Sequence, residues 1–342
     1  MNLNMTVCLL AAVVAASADS FAQCCSGGSG NPIAGSAAAQ GVLSEGQFEV
    51  GSSLQLIRTS VFLRGDSRAD DFLDNYHSSY LYTRTGYGVT SRLTISAETG
   101  YWLDKSEVAL NRTEVISSSG IGDLIIFPRY LLYGNTSEEN VRDEAVMGMG
   151  VKIPLGVYND SLMKIEPFSG AEYYLKKPPA VQPTTGAQDV MLYAFYRRGY
   201  PNDNLNFSAA ALYIRKGWNP RGEKAGDFLS VALFATTMPL ENFGVTIQVR
   251  GELTGKTDIN KAVLYYAYPN YDPAATGSKK LILTPQLNYT FWERLTAFCL
   301  AEFPAYQFVE KTQIASQYLV NVGFVYQFSA NGGDDEDAKN TE

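Results

Sequence analysis

The sequence lacks any apolar run long enough to cross a membrane as a helix. Its longest, residues 7–16, has ten residues, where a spanning helix needs about 20. A helical membrane protein is therefore excluded. Histidine is almost absent, with His77 the single example. The four cysteines are Cys8, the adjacent Cys24 and Cys25, and Cys299. Their spacing forms neither a disulfide framework nor a zinc site. The chain has no phosphate-binding loop, nucleotide fingerprint or cluster of metal ligands, so no cofactor or metal is expected. It also has no basic patch. Its net charge is −8, and half of that lies in the last nine residues, where Asp334, Asp335, Glu336, Asp337 and Glu342 outweigh Lys339. Nucleic-acid binding is excluded on that ground.

What is abundant is strand chemistry. The 342 residues include 22 Tyr, 17 Phe and 30 Gly, yet mean hydropathy is slightly negative. Aromatic residues favour strands, and aromatic girdles border membrane barrels. Residues 7–16 form a short apolar segment, and small residues Ser20 and Ala22 suit cleavage after Ala22. Residues 1–22 therefore read as a signal peptide, although the first six carry no Lys or Arg. The alternatives are a retained core helix or a lipoprotein signal, but Gln23 before Cys24 breaks the lipobox pattern. Residues 23–45 are a Gly-, Ala- and Ser-rich flexible segment, either a plug for the barrel or a periplasmic lead. Residues 329–342 read as an acidic, solvated tail that could instead dock a basic periplasmic partner.

Residues 46–328 alternate with period two, which gives each strand one apolar and one polar face. Phe243, Val245, Ile247, Val249 and Leu253 alternate with Thr246, Gln248, Arg250 and Glu252; Tyr318 to Phe328 repeats the pattern. Twelve segments follow: 46–57, 77–89, 91–103, 121–133, 144–155, 188–200, 204–216, 226–238, 243–254, 280–291, 294–306 and 315–328. The long gaps, 58–76, 104–120, 156–187 and 255–279, all fall on one side of an even-stranded barrel. Outer-membrane barrels have this asymmetry of long outer loops and short periplasmic turns. Residues 134–143 are the exception, an oversized periplasmic turn. The expected fold is an all-β transmembrane antiparallel barrel of about twelve strands, in a Gram-negative outer membrane. A soluble β-sandwich is the alternative. Pro128, Pro154, Pro285 and Pro304 each delete a ladder donor. Pro154 and Pro304 are expected near strand ends, and Pro128 and Pro285 at bulges. Phe328, the terminal aromatic of the last strand, resembles the signal read by the barrel assembly machinery.

Three stretches carry a family resemblance: residues 86–93 (GYGVTSRL), residues 120–124 (GIGDL), which lead to Arg129-Tyr130, and residues 151–156 (VKIPLG), which precede TGAQD at 185–189. They resemble the outer-membrane barrel family named for the MetA pathway of phenol degradation, whose members are described as transporters. The resemblance covers much of residues 80–200 and implies a barrel transporter rather than a phenol-degrading activity.

With the apolar set facing lipid, the other set lines the lumen. That places Glu49, Arg84, Arg92, Glu98, Asp123, Arg129, Lys152, Asp189, Arg197, Arg250, Glu252 and Glu302 inside. An Arg or Lys at mid-membrane on the lipid face would cost about 2–4 kcal/mol. These charges would either select solutes or close the lumen as a cross-lumen ion-pair network, since only wider barrels leave generous channels. Asp123 and Asp189 follow glycine motifs at strand starts, where they would cap turns or meet a ligand. Cys299 falls on the lipid-facing set as a small apolar residue. His77 and Ser79 share a strand face, as in outer-membrane phospholipase A, but the arginine and asparagine of that enzyme have no clear counterpart. Tyr265, Tyr266, Tyr268 and Tyr271 would form an aromatic mouth or an interfacial belt. The expected function is a monomeric, non-enzymatic channel for small solutes, with hydrophobic or aromatic compounds as one class. A closed structural or adhesive barrel is the alternative, and a barrel hydrolase the third reading.

Overall fold

Alternation gives every segment one face for lipid and one for an interior, and a sheet that must keep its polar face and its open edges out of hydrocarbon has to close on itself. The computed structural model describes residues 41–260, 274–292 and 294–329. The signal segment 1–22, most of residues 23–45 with Cys24 and Cys25, all but the first residue of the 329–342 tail, and Tyr265, Tyr266, Tyr268 and Tyr271 lie outside the described residues.

Twelve long strands build the wall: β1 Gln47–Thr59, β2 Leu73–Thr90, β3 Leu93–Ala109, β4 Asp123–Thr136, β5 Arg142–Pro154, β6 Asp189–Tyr200, β7 Leu205–Arg215, β8 Phe228–Leu240, β9 Phe243–Thr254, β10 Ser278–Phe291, β11 Leu295–Ile314 and β12 Tyr318–Ser329. Each pairs antiparallel with its chain neighbours, and β12 returns to β1 from Gln47↔Ser329 to Arg58↔Tyr318. The sheet is a closed twelve-stranded barrel with no edge.

Short turns close one end, at 91–92, 137–141, 201–204 and 241–242 and between Phe291 and Leu295. The ten-residue turn expected at 134–143 shrinks to five, because β4 and β5 continue their ladder to Thr136↔Arg142. Long loops crown the other end. One wall overhangs there. β11 runs 20 residues and pairs beyond the barrel with a small hairpin of strands Phe62–Gly65 and Ser67–Ala69. A further strand, Val115–Ile121, extends the wall beside β3.

The prolines sit differently from expectation. Pro154 does end β5, but Pro304 lies within β11, where the register shifts between Leu281 and Ile282 opposite it. At Pro128 and Pro285 the register resumes unchanged past the proline, so neither needs a bulge. A missing donor there interrupts the ladder on one side only.

The outer surface is apolar in a continuous band, with Met149, Leu192, Val231, Leu233, Val249 and Val322 all exposed. Exposed aromatics rim it at the short-turn end, including Tyr130, Tyr133, Phe207, Tyr289 and Tyr326. Tyr101, Tyr213, Tyr306 and Tyr318 rim the loop end. An apolar belt between two aromatic girdles matches a bilayer and its interfaces. Phe48 stacks on Phe328 at 5.4 Å between ring centroids, so the terminal aromatic joins the first strand to the last.

Candidate functional site

The inward side chains divide the lumen into two walls. On β4 to β8 the inward set is apolar: Ile125, Phe127, Val146, Met191, Tyr193, Phe195, Leu212, Phe228 and Phe234 form one buried cluster. Sequence reasoning missed this wall. On β9 to β12 and β1 the inward set is mixed, with Thr246, Gln248, Thr284, Gln286, Asn321, Ser53 and Gln55 buried beside the apolar Ile282, Phe298, Leu300 and Val325.

The ionised candidates gather into three groups. Arg84 Nε lies 3.6 Å from Glu49 Oε1 and 3.7 Å from Glu98 Oε1. Tyr82 donates to Glu98 at 2.7 Å and Gln327 to Glu49 at 2.9 Å. Arg129 is buried nearby on β4, opposite Thr94. Nearer the loop end, Lys152 Nζ lies 3.0 Å from both Asp123 Oδ2 and Asp189 Oδ2, and Lys216 is 3.1 Å from the same Asp189 oxygen. Asp123 and Asp189 are thus joined through Lys152. Between β9 and β11, Arg250 Nε lies 2.9 Å from Glu252 Oε1 and Nη2 2.7 Å from Glu302 Oε2. All three groups link residues on the same, adjacent or next-but-one strands. Arg84 of β2 and Arg129 of β4 also act electrostatically on Tyr193 of β6.

Two candidates sit apart. Arg197 is half-exposed near the short-turn end and pairs with Glu144 at 2.9 Å. Arg92 does not line the lumen. Its parity was right, but β2 ends at Thr90 and β3 begins at Leu93, so it projects from the turn and is exposed. Lys216 was missed because it lies one residue beyond β7, where strand periodicity carries no information.

Both ends of the lumen are narrowed by chain. The loop between β5 and β6 folds inward at residues 178–187. Its 3-10 turn Pro179–Val181 places Val181, which is fully buried, against Phe62, Tyr76, Ile116 and Ile314. Trp102 Nε1 donates to Pro183 O at 2.9 Å, Lys105 Nζ to Gln182 O at 2.7 Å, and Lys152 Nζ to Thr185 Oγ1 at 3.1 Å. Asp160 anchors the loop's base through Lys177 at 2.5 Å and Ser118 at 2.9 Å. Burial pulls the Asp160 carboxyl up, but those hydrogen bonds outweigh it and hold the group below the usual aspartate range. At the short-turn end, residues 41–43 enter the barrel, while Ser44 and Glu45 remain exposed at its rim. Leu43 N donates to the buried Thr94 Oγ1 at 2.7 Å, and Val42 packs on the apolar wall. Gly88 permits that entry, since a Cβ there would sit 1.9 Å from Ser44 O.

His77 and Ser79 face outward. The His77 ring nitrogens lie 2.9 Å from Asn75 Oδ1 and 2.9 Å from Asp104 Oδ2, so both are engaged by groups other than Ser79. The nucleophile–base contact a hydrolase requires is not formed. Cys299 is exposed on the outer face. No group of side chains suited to a metal ion occurs among the described residues.

A closed, even-stranded antiparallel barrel with an apolar outer belt and a polar-lined interior is the architecture of outer-membrane β-barrels. No family model matches the chain, and no curated protein matches it. Among solved structures it is similar to the COG4313 outer membrane channel from Pseudomonas putida F1, at 14% identity and a TM-score of 0.58, covering 84% of this chain and 97% of that one. It is also similar to the NanC porin, at 12% identity and a TM-score of 0.43 over 82% and 98% of the two chains. The first of these likenesses shows the fold.

Proposed function

We propose that this chain is a monomeric outer-membrane channel for small solutes, of the MetA-pathway type that its glycine-rich corners resemble. The observation that supports it is the course of the buried ion pairs. The ion pairs of Arg84, Lys152 and Arg250 each join residues on strands no more than two apart, although Arg84 also acts on Tyr193 of β6. Solute can then pass between the walls once chain at either end moves aside. The apolar wall of β4 to β8 offers hydrophobic or aromatic compounds a surface, and the ionised groups along the lumen tune selectivity. In this reading residues 1–22 direct export, the segment ending at residues 41–46 is the plug, Tyr265, Tyr266, Tyr268 and Tyr271 belong to the outer mouth, and Phe328 serves the assembly machinery.

A closed structural barrel is the competing reading, favoured by the near-complete burial of Glu98, Arg250 and Asn321. Single-channel conductance of the refolded chain in a planar bilayer separates the two. Discrete steps that grow when residues 23–45 are removed, with ion selectivity shifted by Arg84→Glu, support the channel. Silence from both folded forms refutes it.

A further inference from the structure

We infer that the small hairpin of residues 62–69 presents Arg64-Gly65-Asp66-Ser67 as an attachment element for an adhesion receptor of animal cells, one whose site sets a bound divalent cation beside an acidic pocket. The inference is independent of the solute pathway and rests only on the reading that the long loops face outward.

The hairpin fixes the four residues in one shape. Its strands pair from Phe62↔Ala69 to Arg64↔Ser67, so Gly65 and Asp66 form a two-residue loop. Gly65 has φ +66°, in the left-handed region, and Asp66 does not. That is a type II′ turn, which calls for glycine at the first position. The turn requires Gly65 and accepts Asp66, but it asks nothing of Arg64. The base is anchored. Phe62 is buried with Tyr76, Ile116, Val181 and Ile314, and Leu63 with Val309 and Ala315. The ladder to β11 runs from Ile314↔Phe62 to Thr312↔Arg64. A loop already held in shape loses little freedom when it is bound.

The charges specify the partner. Arg64, Asp66 and Ser67 are exposed. Arg64 Nε donates to Thr312 Oγ1 at 3.0 Å, which leaves both terminal nitrogens without a partner among the described residues. Asp66 Oδ1 accepts from Ser67 Oγ at 3.3 Å. Neither charge enters an ion pair among the described residues, whereas the neighbouring Arg68 and Asp71 bond to each other at 2.9 Å. One guanidinium and one carboxylate, separated by a single glycine, therefore stand open to solvent. The carboxylate suits a hard divalent cation, and the guanidinium fork suits a carboxylate. A partner must offer both at a fixed spacing. A polyanion meets only Arg64 and a free cation only Asp66. Integrin-type receptors, which bind Arg-Gly-Asp turns, meet both.

The test is surface plasmon resonance of the full refolded chain in detergent micelles over an immobilised integrin ectodomain of the Arg-Gly-Asp-binding class, in Mn²⁺ buffer. Saturable binding is expected, abolished by EDTA and by the free peptide Arg-Gly-Asp-Ser. Asp66→Glu keeps the charge but moves the carboxylate by one methylene. It should weaken binding about 10-fold or more, the worth of a charge-assisted contact. Arg64→Gln should do the same, and Asp70→Asn, outside the motif, should leave binding unchanged. Unchanged heat-dependent gel migration certifies that each variant is folded. No saturable binding by folded protein would overturn the inference, as would binding that survives EDTA or is equal in wild type and Asp66→Glu. The outward placement is read separately, by labelling Asp70→Cys on intact cells with a maleimide–polyethylene glycol too large to cross the membrane. Labelled cells together with no receptor binding would remove the attachment element alone; unlabelled cells would remove the orientation on which it depends.

Discussion

Replacing Lys152 with methionine should destabilise the barrel by about 3 kcal/mol. Lys152 Nζ sits 3.0 Å from two carboxylates, and the three side chains are no more than 6% exposed. With Lys216 the group holds two positive and two negative charges. Methionine keeps the volume but leaves three buried charges that no longer cancel. Breaking a buried pair costs about 3–5 kcal/mol. The lower end applies because Lys216 still stands 3.1 Å from Asp189. That is roughly a 100-fold change in the folded-to-unfolded ratio. The assay is urea unfolding in lipid vesicles, read by the mobility difference between heated and unheated samples. The double variant Lys152→Met/Asp123→Leu removes the orphaned carboxylate and should return to within about 1 kcal/mol of wild type, since a buried pair exchanged for apolar groups is often near neutral. A single variant within about 0.5 kcal/mol of wild type, or a double variant worse than the single, would refute the reasoning.

Three further outcomes are expected. Gly88→Ala should dislodge residues 41–46, because its Cβ would meet Ser44 O at 1.9 Å; conductance should rise with gel mobility unchanged, and unaltered conductance would count against the contact. Trp102→Phe removes the hydrogen bond to Pro183 O, worth about 1 kcal/mol, and should speed proteolysis within residues 155–188; an unchanged cleavage rate would show the loop is held elsewhere. Acid should loosen the same loop. The folded-state pKa of Asp160 is depressed, so its contribution is complete above the ordinary aspartate value and disappears as pH falls through the lower folded one. Cleavage of the loop by pepsin should therefore increase steeply at the acid end of its range, and a flat profile would contradict the Lys177–Asp160 anchor.

All twelve strands were legible, most of them because one face differs from the other in polarity. Segment 243–254 matches β9 to the residue. Where both faces are apolar the signal fails. Along β6, Val190 and Leu192 point to lipid while Met191, Tyr193 and Phe195 point inward. Periodicity cannot separate two apolar faces, so the apolar wall stayed hidden although its parity followed from Asp189 and Arg197. Arg92 failed for a different reason. Parity says which face a residue takes but not where its strand stops, and two residues decided the matter. The inward fold of residues 178–187 had no signal at all, because it depends on Val181 finding four side chains from distant parts of the chain.

The seam between β1 and β12 sets the order in which this molecule can be made. Gln47 and Gln327 touch across it although they stand 280 positions apart in the chain. Loss of β12 would leave the outward ladders of β1 and β11 open in hydrocarbon, where no water can answer an exposed amide. Biogenesis therefore has no stable halfway product in the bilayer. Whatever escorts the chain must keep the free edge of the first strand from pairing until the last one has been synthesised, and a premature stop anywhere before Tyr318 leaves that edge open rather than closing a smaller pore.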